Sequence, residues 1–439
     1  MKRFWLVLLS LGLIVAFSTS AMAVDVKFSG EYYAAGLYLD KTTLRKDSGT
    51  DGPSTAFYFQ RLRLRTDFVV SPGLSLIARA DIMERAWGAP RSNVPLVTSN
   101  DTMSAGTRAE NENIVFDLLY AQYVSPIGMF MVGYQIDGAY GTVFGDTSMP
   151  TPRIAYILPI KGFTIGLITG KNPDGELSKT AINPATAADR DSSFYTAFVN
   201  YAWKTGQGGF LYKYIRNATV RGSNFIGNTN VAIGFAKQKL GPVDLQAELY
   251  HIWGQGAKWE AGTPDDTRLS MLYGWVDATA NFGMFYAGGS IAYVSGNDPG
   301  NGAVRGASGG LDYKPTLILF NSDLNYWAGA APGYGGSSTG GALTNAWFGQ
   351  IRGGVKPVDK LDIGLSVSYA SADKKPSATW LYNDYGYEVD LTATYKITNN
   401  LSYMLGGGYL FTGKYFKGVD EANSLTNDFL VINKLTLTF

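Results

Sequence analysis

Residues 61–65 read Arg-Leu-Arg-Leu-Arg, and Asp67 continues the charged phase. In a strand, alternate side chains share a face. Arg61, Arg63, Arg65 and Asp67 therefore form a column with neighbours roughly 7 Å apart, while Leu62 and Leu64 point the other way. Such a column does not sit in a dry core without partners. Its chemistry is the attraction of anions rather than bond making. The next segment, 76–85, carries Arg79 and Asp81 in one phase. A three-residue turn at 72–74 would set Arg65 against Asp81 and Asp67 against Arg79, each cross-strand pair contributing ~0.2–1 kcal/mol. Arg61 and Arg63 would then be the charges a passing solute feels. The alternative is a wall network that ties the arginines to Glu31, Asp67, Asp81, Asp244, Glu248 or Glu388.

Two further segments place carboxylates on a polar phase. Asp244 and Glu248 alternate with Val243, Leu245, Ala247 and Leu249. Glu388 and Asp390 alternate with Tyr387, Val389 and Leu391. With Arg61, Arg63, Arg65, Asp67, Arg79 and Asp81, these four are the expected lining of a wet interior.

Other chemistry is excluded or thin. There is no Cys, hence no disulfide, thiolate nucleophile or Cys metal site. A single His leaves no His cluster for a metal. That residue, His251, sits in His-Ile-Trp with no Ser two positions on, so no catalytic residue is assigned and the chain is not expected to be an enzyme. Its phase, shared with Leu249 and Trp253, fits a lipid–water interface. Asp265-Asp266 and Asn297-Asp298 read as solvated loop residues, and no metal or cofactor is expected. A formal net charge of +1 offers nothing to nucleic acid.

The elements that position the column follow from the rest of the chain. Lys2 and Arg3 precede an apolar run to Phe17 and a small-residue stretch ending Ala21-Met22-Ala23, the pattern of a cleaved secretory signal over residues 1–23. Maturation before Val24 takes the net charge from +1 to −1 by loss of two cations. Beyond it no run of about 18 apolar residues marks a membrane helix. Residues 24–439 instead show segments of about ten alternating residues separated by turns and loops in strict succession. Tight turns fall at 71–73, 125–128, 159–162, 205–208, 240–242, 281–283, 356–359 and 398–400, where Gly, Pro and Asn supply the dihedrals. Polar loops are expected at 40–55, 88–112, 137–152, 171–192, 217–228, 254–267, 295–344, 371–386 and 412–428. Eight turns and nine loops imply an all-β, antiparallel transmembrane barrel of about 18 strands, with short periplasmic turns, long extracellular loops and both termini on one side.

Aromatic residues near strand ends fit two interfacial girdles: Tyr32, Tyr38, Trp87, Tyr123, Tyr134, Tyr201, Trp203, Trp253, Trp275, Trp347, Tyr409 and Phe411. The last strand ends on Phe439, which resembles the signal read by the barrel assembly machinery. Loop 295–344 is the longest and carries apolar residues between 311 and 327, so it must pack on something. Folding into the mouth would make it a constriction. Its Gly-rich stretch 333–341 lacks the strand-to-helix setting of a phosphate loop.

Two stretches resemble a known family. One is Gly133-Tyr134-Gln135 leading to 138–147, Gly-Ala-Tyr-Gly-Thr-Val-Phe-Gly-Asp-Thr. The other is 386–397, followed by Asn400-Leu401-Ser402 and Gly408-Tyr409-Leu410-Phe411. They look like the alginate-export-type outer-membrane porins, which are barrels of 18 strands. The resemblance implies an outer-membrane channel and does not extend to alginate as the solute. The expected function is passive diffusion of small hydrophilic solutes, anions included, through the bacterial outer membrane, whose lipid surrounds the barrel. Two alternatives are an export channel for an anionic polysaccharide and a barrel sheath of a trans-outer-membrane complex.

Overall fold

A computed structural model describes residues 24–47, 50–89, 113–171, 190–262, 264–298 and 302–439. The expected leader, 1–23, and most of the expected loops 88–112 and 171–192 lie outside the described residues. Alternation builds eighteen long strands: β1 Asp25–Leu39, β2 Thr55–Ser71, β3 Leu74–Ala86, β4 Ile114–Ser125, β5 Gly128–Asp137, β6 Met149–Ile160, β7 Phe163–Lys171, β8 Ser192–Trp203, β9 Gly206–Asn217, β10 Phe225–Leu240, β11 Val243–Trp259, β12 Thr267–Phe282, β13 Phe285–Val294, β14 Ala346–Val358, β15 Leu361–Ala372, β16 Asp384–Lys396, β17 Leu401–Thr412 and β18 Asp428–Thr438. Each pairs antiparallel with its sequence neighbours. The barrel closes because β1 pairs β2 on one side (Glu31 opposite Arg63) and β18 on the other (Glu31 opposite Thr438). The seam zips to the last residue: Gly30 N–H donates to the Phe439 carbonyl at 2.8 Å, and Phe439 N–H to the Gly30 carbonyl at 3.1 Å. A two-residue strand, Ala303–Val304, adds to β12, and a helix α1, Ser322–Ala328, lies in the long loop.

No helix among the described residues is long and apolar enough to cross a membrane. Crossing falls to the strands, whose backbone groups are paired all round the closed sheet. Their outer face is greasy: Phe116, Val132, Leu167, Phe210, Leu249, Ile291, Ile351 and Leu391 are all exposed. Aromatic pairs ride both rims of this belt, with Tyr293 on Trp347 at 4.4 Å and Tyr409 on Phe411 at 4.7 Å on the loop side, and Phe163 on Tyr201 at 4.6 Å on the turn side. His251 is exposed in this outer phase, its ring stacked on Trp253 at 4.9 Å.

All eight expected turns separate successive strands. Other expectations need correction; β10 and β16, for instance, begin at Phe225 and Asp384, inside the expected loops 217–228 and 371–386. β11 runs to Trp259 rather than ending at Gly254, because a bulge near Gln255 lets the strand continue. β6 begins at Met149, inside the expected loop 137–152. Trp275 is not a girdle residue. Val276 takes the outer phase of β12, and Trp275, 6% exposed, points inward and stacks on Phe144 at 5.8 Å.

Candidate functional site: a charged ladder beside a loop-filled half-lumen

The column of β2 has the inner phase. Tyr58 is exposed outside and Phe59 is buried inside, and Arg61, Arg63 and Arg65 follow Phe59 at steps of two. Their partners differ from the expected ones. Pro72-Gly73 forms a two-residue turn with Ser71 opposite Leu74, and the register slips once more between Val69 and Ser71, so Arg63 faces Asp81, Arg65 faces Arg79 and Asp67 faces Ile77. Arg63 makes a fork to Asp81, with N–O distances of 2.7 and 2.6 Å, and lies 3.9 Å from Asp117. Arg65 turns along its own strand to Asp67 at 2.7 Å. Arg79 reaches Asp117 at 3.0 Å, and Arg61 reaches Glu84 at 3.4 Å and Glu31 at 4.0 Å. Arg61 and Arg63 are therefore not unpaired.

Glu84 and Asp117 were not among the expected residues because bulges re-aim them. Asp81 and Glu84 lie three residues apart, which would put them on opposite faces of a regular strand. The register slips between Gln60 and Leu62, where Met83 adopts a φ of 54°, and both acids then face consecutive arginines. A second slip, between Arg79 and Ala80, takes up Asp117 and turns it toward Arg79. Counted formally, Arg61, Arg63, Arg65 and Arg79 meet Glu31, Asp67, Asp81, Glu84 and Asp117, a sum of 4 − 5 = −1. Lys434 of β18, 4.4 Å from the Tyr33 ring that Arg61 also covers, brings the sum to zero. The balance is not symmetric in space. The Arg63 side chain is 33% exposed and Asp81 12%; Arg352 is 24% exposed and its partner Asp277 8%. Arg65 and Arg79 likewise exceed Asp67 and Asp117 in exposure, whereas Arg61 is less exposed than Glu31 and Arg153 less than Asp137. The ladder continues as Arg153 and Lys213 sharing Asp137, at 3.1 and 2.5 Å.

The expected acids of the other wall have a different role. Glu388 is 0% exposed; its two oxygens accept the N–H groups of Ile318 at 2.6 Å and Leu319 at 2.8 Å. Glu248, 3% exposed, accepts the Thr142 N–H at 3.0 Å and its hydroxyl. Asp390 is buried beside Glu388 with Ser366 at 3.4 Å. These three carboxylates are sealed beneath loops rather than bathed in an open lumen. Asp244 lies at the turn-side end of β11, half-buried, with Asn281 at 3.5 Å.

The loops that seal them are 138–148 and 295–345. Buried Phe144 packs on Trp275 and Tyr313; Trp327 stacks on Phe59 at 4.4 Å; Pro315 accepts from Gln350 at 2.6 Å. The loops also bond each other: Gly310 N–H to the Phe144 carbonyl and Asp312 N–H to the Asp146 carbonyl, both at 2.9 Å. The resulting apolar core draws its buried wall residues from β1–β3 and β9–β18, none from β4–β8. Thus the described loops fill one side of the lumen, and the ladder starts at the edge of that core, where Arg61 covers Tyr33, and leads to Asp117 and Asp137 on strands that give the core no buried residue.

A glycine makes the notch for Leu317. A Cβ on Gly408 of β17 would lie 2.7 Å from Asp390 Oδ1 and 3.1 Å from Leu317 Cβ. Gly408→Ala is expected to push the loop from the wall at a cost of about 1–3 kcal/mol, read as a lower unfolding temperature; wild-type stability would show that the notch is not needed.

The loop junction is expected to respond to pH. Burial pushes the Asp146 carboxyl up from 3.8 to about 6, with Asp312 adding to the rise and the Tyr140 N–H and Lys237 opposing it. The docked loop therefore favours the protonated form. Its docking is expected to be weakest above pH about 6, to tighten as pH falls through that value and to be fully tightened below 3.8. Amide exchange across 138–148, corrected for intrinsic rates, should be slower at pH 5 than at pH 7.5; equal protection would refute this.

Asp266 accepts from Gln255 at 2.7 Å and from Trp259 N–H at 2.9 Å, closing its turn. Among the described residues no group of three or more potential ligands could hold a metal.

No protein-family profile and no curated protein sequence matches the chain. Solved structures do. The outer membrane protein OpdK of Pseudomonas aeruginosa, solved with vanillate, aligns with a TM-score of 0.52 at 12% identity, over 94% of this chain and 98% of its own. OccK9 (OpdG) of the same organism aligns with 0.53 at 12% identity, over 94% and 99%. The fold is that of an outer-membrane porin. An anion-selective porin from Comamonas acidovorans covers 94% of the chain and 99% of its own at 11% identity, with a TM-score of 0.48. At that likeness its selectivity carries no argument for this porin fold.

Proposed function

We propose that this chain is a passive outer-membrane channel for small hydrophilic solutes, anions favoured, and that the pathway runs along β2–β8. The observation that carries the reading is the division of the lumen: an apolar core over one part of the wall, and beside it a ladder of ion pairs in which Arg63, Arg65 and Arg79 are more exposed than Asp81, Asp67 and Asp117. Arg61, Arg63, Arg65, Asp67, Arg79 and Asp81 line the pathway in this reading, joined by Glu84, Asp117, Arg153 and Lys213. Loop 295–344 narrows it, and Glu248, Glu388 and Asp390 serve the loops. Residues 1–23 direct export and are removed, and the β18 seam ending at Phe439 supports its reading as the assembly signal.

The finer likeness to alginate-export barrels is not favoured. Export of a polysaccharide, like a sheath around a protein, needs a wide lumen, and two joined loops cross this one. Purified protein in planar bilayers tests the proposal. Stepwise conductance with a reversal potential toward chloride in a KCl gradient is expected, lowered by carboxylates such as vanillate, the molecule named with OpdK. Absence of steps, or cation preference, would overturn it.

A further inference from the structure

We infer that Glu388 and Glu248 are paired anchors, positioning residues that hold the two inner loops as one bridge across the lumen. The inference rests on the channel reading only for its effect on conductance; the anchoring itself stands on geometry. Glu388 grips two successive backbone N–H groups, at 2.6 and 2.8 Å, and is wholly buried in doing so. Glu248 grips the backbone N–H and the hydroxyl of Thr142. Each oxygen of Glu388 thus accepts one loop N–H.

The anchored points belong to different loops and to walls five strands apart, β11 and β16. Between them the loops join through four bonds. Gly310 and Asp312 donate to Phe144 and Asp146 carbonyls at 2.9 Å, Leu311 N–H donates to Thr147 Oγ1 at 3.0 Å, and Ser148 N–H donates to Asp312 Oδ2 at 3.0 Å. The chain of contacts thus runs wall, loop, loop, wall. Releasing one end frees the far loop as well as the near one, because each loop's docking includes the other. Glu388 works through main-chain donors, so the side chains of Ile318 and Leu319 are not what it recognises. Glutamine keeps one acceptor and turns its amide toward the second N–H, leaving that donor unmet.

The test is amide exchange by mass spectrometry on the whole protein in detergent, with bilayer conductance beside it. Glu388→Ala should speed exchange in 309–320 at least tenfold and, decisively, in 138–148 at least threefold, with Glu388→Gln between it and wild type. Thr142→Val, which keeps every wall residue, should speed exchange in 138–148 and, more weakly, in 309–320; it answers the question if the Glu388 variants do not fold. Asp244→Ala, an acid that touches neither loop, should change neither segment. Conductance should rise in the order wild type, Gln, Ala. Exchange confined to the loop next to the substituted residue would overturn the bridge. Unchanged exchange in Glu388→Ala would overturn the anchor. A wild-type protein that never conducts would remove the channel reading while the exchange data still decide the anchors.

Discussion

Replacing Arg63 by alanine should lower the anion-to-cation permeability ratio by about fivefold, the equivalent of about 1 kcal/mol for one charge at contact distance in water. Arg63 links two acids of the ladder: it forks onto Asp81 and lies 3.9 Å from Asp117. Removing it uncovers two carboxylates that are now 12% and 13% exposed, and the local sum moves one charge further negative. The guanidinium is also the member of its pair that reaches the water, so a solute loses the charge it meets first. Arg63→Lys should restore part of the ratio, since it returns the charge without the planar fork. The reversal potential in a KCl gradient is the measurement. A ratio unmoved by Arg63→Ala would mean that the ladder only braces the wall.

Deleting residues 311–327 should at least double the single-channel conductance. The deleted stretch includes Ile318, Leu319, Phe320, Leu324 and Trp327, all buried in the lumen core, along with both N–H groups held by Glu388. None of the eighteen barrel strands is touched, so the wall should persist. A barrel of 16 to 18 strands without such filling leaves a wide aqueous channel. Conductance equal to wild type, with the barrel shown folded by its heat-dependent gel mobility, would refute the constriction.

The wall of this protein is legible residue by residue. Arg-Leu-Arg-Leu-Arg has one strand phase and no helical one. Gly, Pro and Asn at eight places predict the turns, and the parity of turns and loops predicts a strand count that closes with both termini on one rim. Those are local matters, decided within two to ten residues by side-chain alternation and by dihedral freedom. Periodicity also placed Glu248 and Glu388 on the polar phase. It could not say what would cover them, because Thr142 is 106 residues from Glu248, and Ile318 is 70 from Glu388.

Where the periodicity breaks, the sequence is silent, and those breaks shape the site. A single extra residue near Met83 brings Glu84 to Arg61, and another takes up Asp117 beside Arg79. A two-residue turn at Pro72-Gly73, together with a slip between Val69 and Ser71, sets Arg63 rather than Arg65 against Asp81. Each such slip changes the facing of everything beyond it, so an error of one residue rewrites the ion pairs while leaving the fold unchanged. The alternation by itself determined a closed wall with charge inside and grease outside. Only the tertiary structure decided which charges pair and which part of the lumen stays open, because those depend on register and on loops that return to the wall from far along the chain.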